Sequence, residues 1–249
     1  KLSDGREFQA TLAVAADGRE SRLRDQMGIG VVGWSYPQTG IVATVHHARP
    51  HQGVAYEHFL PSGPFAILPM TGDRSSLVWT ETRDKAPAML ALDDDAFNAQ
   101  VAARFGAHLG DTEVVGGRWS YPLKFHLARD FVRPRFVLAG DCAHGVHPIA
   151  GQGLNLGLKD VAALAETLLD AARLGRDIGT ADVLKRYERW RRFDSFTLAA
   201  STDVLNRLFS NDIAPLRQLR DLGLGLADAI GPARRCFMRQ AGGEVGKLP

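Results

Sequence analysis

Alternating hydrophobic and polar residues occupy much of the first third of the chain, a pattern that half-buried β-strands produce. Residues 8–16 (FQATLAVAA) predict a strand, which the turn signal Asp17-Gly18 ends. Four short β-compatible runs separated by Gly and Pro follow between residues 41 and 80: IVATVHH, VAYEHFL, GPFAILPM and SSLVWT. Runs with this spacing predict an antiparallel sheet.

Helical periodicity first appears at Asp93, where Phe97, Val101, Phe105 and Leu109 then recur every fourth residue. Residues 119–121 and 124–128 predict a β pair. The apolar run 135–140 (RFVLAG) predicts a strand buried on both faces. Helices are predicted over about 155–173 and 180–210. One face of the first is expected to carry its apolar residues: Leu158, Val161, Leu164 and Leu168.

Composition narrows the class of protein. The 249 residues carry 30 Lys and Arg against 28 Asp and Glu, and a net charge of +2 does not indicate a nucleic-acid partner. Cys142 and Cys236 form neither a disulfide framework nor a zinc pattern, so a reduced, cytoplasmic location is expected. No membrane-spanning helix is predicted. Because no Met begins the chain, we expect a fragment.

Residues 140–160 (GDCAHGVHPIAGQGLNLGLKD) carry the most chemistry. A buried strand delivers Asp141 at its carboxyl end, where open α/β sheets bind ligands. Gly151 and Gly153 let a flat ligand approach the backbone at a helix N-terminus. Such a site suits a cofactor whose hydroxyls donate to Asp141 and whose ring gains electrons near the helix amides. The dinucleotide-binding fingerprint is G-x-G-x-x-G. The spacing of Gly151, Gly153 and Gly157 is one residue longer than this pattern, and we expect no such fingerprint in the chain.

This segment resembles the second flavin motif of the class A flavoprotein monooxygenases, the family of para-hydroxybenzoate hydroxylase. The family pattern is G-D-A-A-H, a Pro four residues on, G-x-G-x-N and a closing Asp. It is matched by Gly140, Asp141, Ala143, His144, Pro148, Gly151, Gly153, Asn155 and Asp160. Cys142 replaces the usual Ala. His144 is expected to brace the loop by hydrogen bonding, and neither His144 nor His147 is expected to bind a metal.

A second family pattern, D-G-x-x-S-x-x-R, is matched by Asp17, Gly18, Ser21 and Arg24. In the family this segment lies near the flavin pyrophosphate and is implicated in pyridine-nucleotide binding. An Arg fork beside a Gly turn suits phosphate, so the resemblance implies that Arg24 contacts phosphate. The alternatives are that Arg24 lies on the surface beside its competitor Arg22, and that Asp17 only forms a turn.

Residues 56–70 and 75–80 resemble the substrate sheet of the ubiquinone-biosynthesis hydroxylases, which act on polyprenylated phenols. The resemblance implies that Phe65, Leu68 and Pro69 line the substrate pocket, with plain core as the alternative. The family begins with a strand, G-x-G-x-x-G and helix for the ADP half of FAD. That unit is missing, and its absence is a second reason to expect a fragment.

The expected fold is α/β. A partial, glutathione-reductase-like FAD-binding domain is expected over 1–30 and 129–210, a substrate domain with a mixed, largely antiparallel sheet over 31–128, and a helical segment over 211–249. The resemblance implies non-covalent FAD, NAD(P)H as co-substrate and no identifiable catalytic side chain. The implied FAD contacts are Asp17, Gly18, Arg24, Gly140, Asp141, Pro148, Gly151, Gln152, Gly153, Leu154 and Asn155.

The implied activity is hydroxylation of a polyprenylated phenol with O2, the fragment itself being inactive. The alternatives are a hydroxylase of a soluble aromatic acid and a non-catalytic lipid-binding or scaffold component of a biosynthetic complex. Apolar residues of the tail recur at helical spacing, with arginines beside them: Leu216, Leu219, Leu222, Leu226 and Ile230, with Arg217, Arg220, Arg234, Arg235 and Arg239. This face predicts peripheral contact with the inner face of a membrane. The alternative is packing on the FAD domain or at the interface of a homo-oligomer.

Overall fold

The computed structural model of the chain describes residues 3–210 and 230–241. These residues group into two units. The first contains 3–34, 125–203 and 230–241, and the second contains 35–124 and 204–210. The sequence predicted that the chain passes from the first domain to the second after residue 30 and returns after residue 128. It also assigned residues 204–210 to the FAD-binding domain.

The elements follow one another in the order expected of an α/β chain. They are β1 (Ala13–Ala15), α1 (Arg22–Gln26), β2 (Val31–His47), β3 (Tyr56–Leu60), β4 (Gly63–Pro69), β5 (Arg74–Thr82), α2 (Ala86–Leu90), α3 (Asp94–Phe105), β6 (Thr112–Ala128), β7 (Val132–Arg133), β8 (Phe136–Leu138), β9 (His144–Gly145), α4 (Gly153–Arg173), α5 (Ala181–Phe209) and α6 (Gly231–Ala241). None of the described helices is long and apolar enough to cross a membrane.

The first unit contains a three-stranded sheet of order β1-β8-β7. β1 is parallel to β8, and β7 is antiparallel to it. The strand predicted over 8–16 is shorter than expected, because only Ala13–Ala15 pair with a neighbouring strand and Phe8 is 68% exposed. All three residues of β8 are buried, as the apolar run predicted.

The larger sheet has the order β3-β4-β5-β2-β6-β9. β4 is antiparallel to β3 and β5, and β2 is antiparallel to β5 from Gln38 opposite Thr82 to His46 opposite Arg74. The antiparallel sheet predicted from the four β runs is therefore confirmed.

One face of this sheet packs on α2 and α3 to form the core of the second unit. Asp93 caps α3 by accepting from the Ala96 amide at 2.8 Å, and Gly106 follows its last residue with φ +79°. The helix predicted at Asp93 is thus confirmed, although Leu109 lies beyond its end. The buried cluster contains Ile41, Ala43, Val45, Phe65, Ile67, Leu77, Trp79, Ala86, Phe97, Val101, Phe105 and Leu109.

One local prediction is wrong, and one predicted apolar face is only partly buried. The predicted β pair at residues 119–128 is one uninterrupted strand, β6. Its Pro122 is tolerated because a proline fits a strand that has an unpaired edge, and β9 pairs only with His126 and Leu127. In α4, Leu158 and Val161 are 57% and 59% exposed. The buried face contains Leu156, Asp160, Ala163, Leu164, Thr167 and Ala171.

Candidate functional site

Asp141 lies at the carboxyl end of β8, in a short 3-10 turn that Gly140 opens with φ +72°. This left-handed backbone favours glycine. The Asp141 side chain is 46% exposed, and its Oδ2 lies 3.7 Å from Nη2 of Arg19. That distance exceeds a hydrogen bond, so the carboxylate oxygens of Asp141 can accept from the hydroxyls of a ligand.

The glycine-rich loop leads into the N-terminus of α4. Gly151 adopts the left-handed conformation (φ +60°), and Gln152 caps the helix without a side-chain hydrogen bond to it. Asn155 Nδ2 instead donates to Gln152 Oε1 at 3.0 Å, and Leu154 is 75% exposed. A Cβ built on Gly153 would meet no atom within 4 Å. The space beside Gly153 is therefore open, next to a helix N-terminus whose dipole favours negative charge.

A buried carboxylate holds this loop to the helices. Asp160 is 0% exposed, and its Oδ2 accepts from the Gly140 amide at 2.8 Å and from His144 Nε2 at 2.6 Å. Its Oδ1 accepts from Arg191 Nε at 2.7 Å. Arg191 Nη1 donates to Asp194 at 2.8 Å, and its Nη2 has no partner among the described residues. The predicted bracing role of His144 is confirmed.

These contacts explain why Asp160 lies on the buried face of α4, while the apolar residues Leu158 and Val161 of the same helix are exposed. Burial alone would raise the pKa of Asp160, but the hydrogen bond and charge of His144 and the hydrogen bond from Arg191 lower it. Tyr187, one turn before Arg191, donates its hydroxyl to the Leu138 carbonyl at 2.8 Å. The carboxyl end of β8 is thus attached to both α4 and α5.

His147 is also enclosed, since it is only 1% exposed. Its Nδ1 accepts from the Ile149 amide at 3.2 Å, which fixes the turn at Pro148–Ala150. Burial lowers the pKa of His147 to about 4, although the charge of Asp203 opposes the shift. Among the described residues, no group of three His, Cys, Asp or Glu side chains could hold a metal ion.

In the first motif, Asp17 shapes the turn at Gly18, whose φ is +83°. Asp17 accepts from the Ser21 hydroxyl at 2.6 Å and from the Leu23 amide at 3.2 Å. Ser21 in turn caps α1 by accepting from the Arg24 amide at 2.9 Å. Contact of Asp17 and Gly18 with a cofactor stays a prediction.

The implied phosphate contact of Arg24 is not supported, because the residue is only 6% exposed and its guanidinium bonds to protein acceptors. Nη1 donates to the carbonyls of Arg19 (3.0 Å) and Cys142 (3.2 Å), while Nε and Nη2 donate to Asp25. Arg24 therefore joins the first motif to the second. A sequence motif shows neither the burial of a side chain nor its carbonyl acceptors. The sequence therefore could not distinguish a phosphate contact of Arg24 from a structural role.

The sequence patterns missed three residues that lie around Asp141 and Asp160. Arg19 is the partly exposed guanidinium beside Asp141. His126 Nε2 donates to the Asp141 carbonyl at 2.7 Å, and a Cβ on Gly145 would lie 2.5 Å from the His126 ring. Arg191 is 31 residues from Asp160 in sequence. Arg19 occupies a variable position of the first motif, and the other two lie outside both motifs, so no pattern marked them.

Cys142, the departure from the family pattern, is buried where β1 and β8 end. Its Sγ is 2.8 Å from the Ala15 carbonyl and 3.1 Å from the Ala139 carbonyl. Burial raises the pKa of the Cys142 thiol to about 11. The substitution of Cys for Ala is therefore a packing change, as its small size predicts.

The predicted pocket residues lie on β4, but not on one wall. Phe65 is 0% exposed and belongs to the core, with its ring 6.3 Å from that of Trp79. Leu68 is 41% exposed and lies on the opposite face, because successive side chains of a strand alternate. Phe65 and Leu68 cannot line the same wall, so Phe65 is corrected to a core residue. By the same alternation Pro69 lies on the side of Phe65, so it does not share a wall with Leu68. The pocket roles of Leu68 and Pro69 stay predictions.

The letters of the dinucleotide fingerprint do occur once, in Gly28–Gly33 (GIGVVG), contrary to expectation. Here, however, α1 ends at Gln26 and β2 begins at Val31, so the glycines lead from a helix into a strand. The fingerprint binds pyrophosphate because it leads from a strand into a helix N-terminus. This stretch therefore does not supply the phosphate site.

The residues at the end of β8 fit a flavin. The exposed carboxylate of Asp141 can accept from ribityl hydroxyls, and the uncapped amides of Gly153–Asn155 can stabilise negative charge on a flat ring. Open space above Gly153 leaves room for close approach. The family described as "FAD binding domain" matches residues 1–195 of this chain.

Curated relatives are similar over nearly all of the chain. It is 54% identical over 244 residues to "Ubiquinone hydroxylase UbiL" of Rhodospirillum rubrum, covering 98% of this chain and 57% of the relative. It is 35% identical over 271 residues to the human "Ubiquinone biosynthesis monooxygenase COQ6, mitochondrial", covering 95% of this chain and 58% of the relative. The chain thus spans somewhat more than half the length of these relatives.

A solved structure supports the fold. The crystal structure of p-nitrophenol 4-monooxygenase PnpA from Pseudomonas putida superposes with a TM-score of 0.76 at 20% identity, covering 96% of this chain and 60% of the other. The α/β fold expected from the motifs is confirmed. The family match and the relatives together show that the chain belongs to the FAD-binding family of class A flavoprotein monooxygenases.

Proposed function

We propose that the whole protein hydroxylates the aromatic ring of a polyprenylated phenol in ubiquinone biosynthesis, using FAD, NAD(P)H and O2. The observation that carries the proposal is the site at the end of β8, where Asp141 is exposed beside the uncapped N-terminus of α4. Similarity to relatives named as ubiquinone hydroxylases supports the substrate class. When bound, FAD would take electrons from NAD(P)H and activate O2, the source of the added oxygen, and the protein would position FAD and exclude water.

The sheet of the second unit favours a phenol over an aromatic acid. Its face opposite the core, here named the open face, carries alternate side chains of β2 to β5. They include Val42, Thr44, His46, Glu57, Phe59, Ala66, Leu68, Arg74, Ser76 and Val78. An aromatic carboxylate would need a cation at the centre of such a surface, whereas Arg74 is the first residue of β5 and the charged residue in the row of aliphatic side chains, Glu57, is acidic.

Membrane contact is part of the same proposal. A polyprenylated substrate dissolves in the membrane, so a cytoplasmic protein bound to its inner face would reach that substrate. Most of the tail on which the sequence argument rests, residues 211–229, lies outside the described residues. Ile230, which is described, is 48% exposed. A homo-oligomer or a biosynthetic complex is an additional proposal for the partners of the protein.

The test is turnover by the purified whole protein. With FAD, NAD(P)H and O2, a polyprenylated phenol should yield a product heavier by one oxygen atom, detected by mass spectrometry. Soluble hydroxybenzoic acids serve as competing substrates, and the Asp141→Ala variant serves as the control for the flavin site. Faster turnover of the acids would contradict the substrate class, and absence of bound flavin would contradict the enzyme.

A further inference from the structure

On the open face of the sheet, a single carboxylate stands in a row of aliphatic side chains. Glu57 of β3 pairs with Ala66 of β4, Ala66 pairs with Val78 of β5, and Val78 pairs with Val42 of β2. Neighbouring strands are about 4.8 Å apart, so the row extends roughly 14 Å from the carboxylate-bearing strand. One end of this row is polar and the remainder is apolar.

The direction of the Glu57 side chain follows from its two neighbours. Tyr56 packs against the core cluster, and the His58 ring stacks 6.4 Å from that of Phe65 while its Nδ1 donates to the Arg104 carbonyl at 3.1 Å. Since Tyr56 and His58 point to the core, Glu57 points to the open face.

Within the described chain, the Glu57 carboxylate has no hydrogen bond or ion pair. The side chain is exposed on this strand, and desolvation by the surrounding side chains raises the pKa of Glu57 to about 7, with no charged neighbour contributing to the shift.

The other charged or titratable open-face residues of β2 and β5 are His46 and Arg74, which pair with each other. His46 and Arg74 each lie four residues, or roughly 13 Å, along the strand from Val42 and Val78. Neither β2 nor β5 is adjacent to β3, the strand that carries Glu57. The end of α5 also contacts this face, because the Phe209 ring lies 4.4 Å from the ring of Phe59, and the charged residue in this last part of α5 is Arg207.

We propose that Glu57 is a specificity-determining residue whose carboxylate accepts a hydrogen bond from the phenolic hydroxyl of the substrate. The aliphatic row of Ala66, Val78 and Val42 would contact the ring and the first part of its apolar chain. This proposal rests on the proposed function and names the group that would recognise its substrate. A carboxylate acceptor rejects an aromatic acid by charge repulsion and rejects an ether because an ether has no proton to donate.

A ligand pair tests the hydrogen bond directly. Farnesylphenol and its O-methyl ether share the same ring and apolar chain, but only the phenol can donate. Their Kd values would be measured on the whole protein by equilibrium dialysis at pH 8. We expect roughly tenfold tighter binding of the phenol, the effect of one hydrogen bond to a charged group. In the Glu57→Gln variant this preference should fall to about threefold or less, and Glu57→Asp should keep part of it.

Controls separate this role from the ordinary use of a charge on an edge strand, which discourages pairing with other chains. Glu113→Gln removes an exposed strand glutamate of the same unit and should leave the preference unchanged. Ala66→Leu fills the row and should weaken both ligands alike. In the wild type, the preference should fall as pH drops from 8 to 5.5, because protonation of Glu57 removes the charged acceptor. Affinity for the ether should stay level.

The outcomes distinguish the two proposals. If the wild-type protein binds both ligands and Glu57→Gln keeps the full preference for the phenol, the role of Glu57 is wrong and the substrate class stands. If the wild type binds neither ligand while soluble aromatic acids bind, the substrate class is wrong and the role of Glu57 fails with it.

Discussion

Arg191 and Asp160 form an ion pair that is closed to solvent: Nε of Arg191 lies 2.7 Å from Oδ1 of Asp160, and the two side chains are 1% and 0% exposed. The same carboxylate accepts from the backbone of Gly140, immediately before Asp141, the residue proposed to contact the flavin. The stability of α5 and the geometry of the cofactor loop are therefore coupled through one buried group.

Arg191→Met should lower the free energy of unfolding of the whole protein by about 3–5 kcal/mol, because it leaves the Asp160 charge buried without its partner. Urea unfolding measures the change. Arg186→Met is the matched control on the same helix, since Arg186 bonds Asp170 at 2.9 Å with both side chains about 40–50% exposed. It should cost less than about 1 kcal/mol, and equal losses would refute a special role for the buried pair.

Stability should depend on pH through His147. Its folded pKa of about 4 lies below the unfolded value, so the unfolded chain binds the extra proton as pH falls from about 6.5 to 4. The free energy of unfolding should fall by about 3 kcal/mol over that window. His147→Asn, which can still accept from the Ile149 amide, should flatten this slope. The exposed His46→Asn should not, and an unchanged slope in His147→Asn would count against the assignment.

Asp141→Ala should weaken FAD binding by the whole protein about 10–150-fold, the loss of one or two charge-assisted hydrogen bonds. Fluorescence titration of FAD gives the affinity, and an unchanged melting temperature of the flavin-free protein would show that the fold survives. Asp130→Ala is the matched control, because its side chain is 45% exposed against 46% for Asp141. Equal affinities for the wild type and Asp141→Ala would place the flavin elsewhere.

The 249-residue chain alone should bind FAD poorly, because its one G-x-G-x-x-G stretch leads from α1 into β2 and offers no helix N-terminus to pyrophosphate. Purified chain should show no absorbance near 450 nm, with the whole protein as the positive control. Near-stoichiometric flavin on the chain would refute this expectation.

The tail should bring the whole protein to anionic vesicles at low salt. Each of its arginines near the headgroups contributes about 1 kcal/mol, and salt should weaken the attraction. Flotation of the whole protein is compared with a version that ends after residue 211. Equal flotation of both, or of neither, would favour the alternative that the tail packs on the protein.

The densest motif was predicted best. Asp141 follows a buried strand, and Gly151 and Gly153 stand at the beginning of a helix, as the sequence indicated. Their contacts with FAD stay predictions. It was harder to predict which face of β4 packs on the core and which is the open face. Alternation separates Phe65 from Leu68, but only the placement of α3 shows which face is covered.

Long-range polar contacts could not be predicted at all. Periodicity placed Leu158 and Val161 on the apolar face of α4, and hydropathy alone would expose the polar Asp160 and bury that face. Asp160 is buried instead, because it accepts hydrogen bonds from Gly140 and His144, in the loop at the end of β8, and from Arg191. Arg24 is a similar case, since its carbonyl acceptor at Cys142 is 118 residues away.

The Cys142 thiol, buried against the carbonyls of Ala15 and Ala139 with a pKa of about 11, gives the protein a built-in reporter of local opening. At pH 7 only about one thiol in ten thousand is ionised, and the sulfur is enclosed, so a thiol reagent reacts only after the structure around it opens. The rate of alkylation therefore measures how often the floor of the flavin loop opens. Slower alkylation with added FAD would show that the cofactor closes that opening.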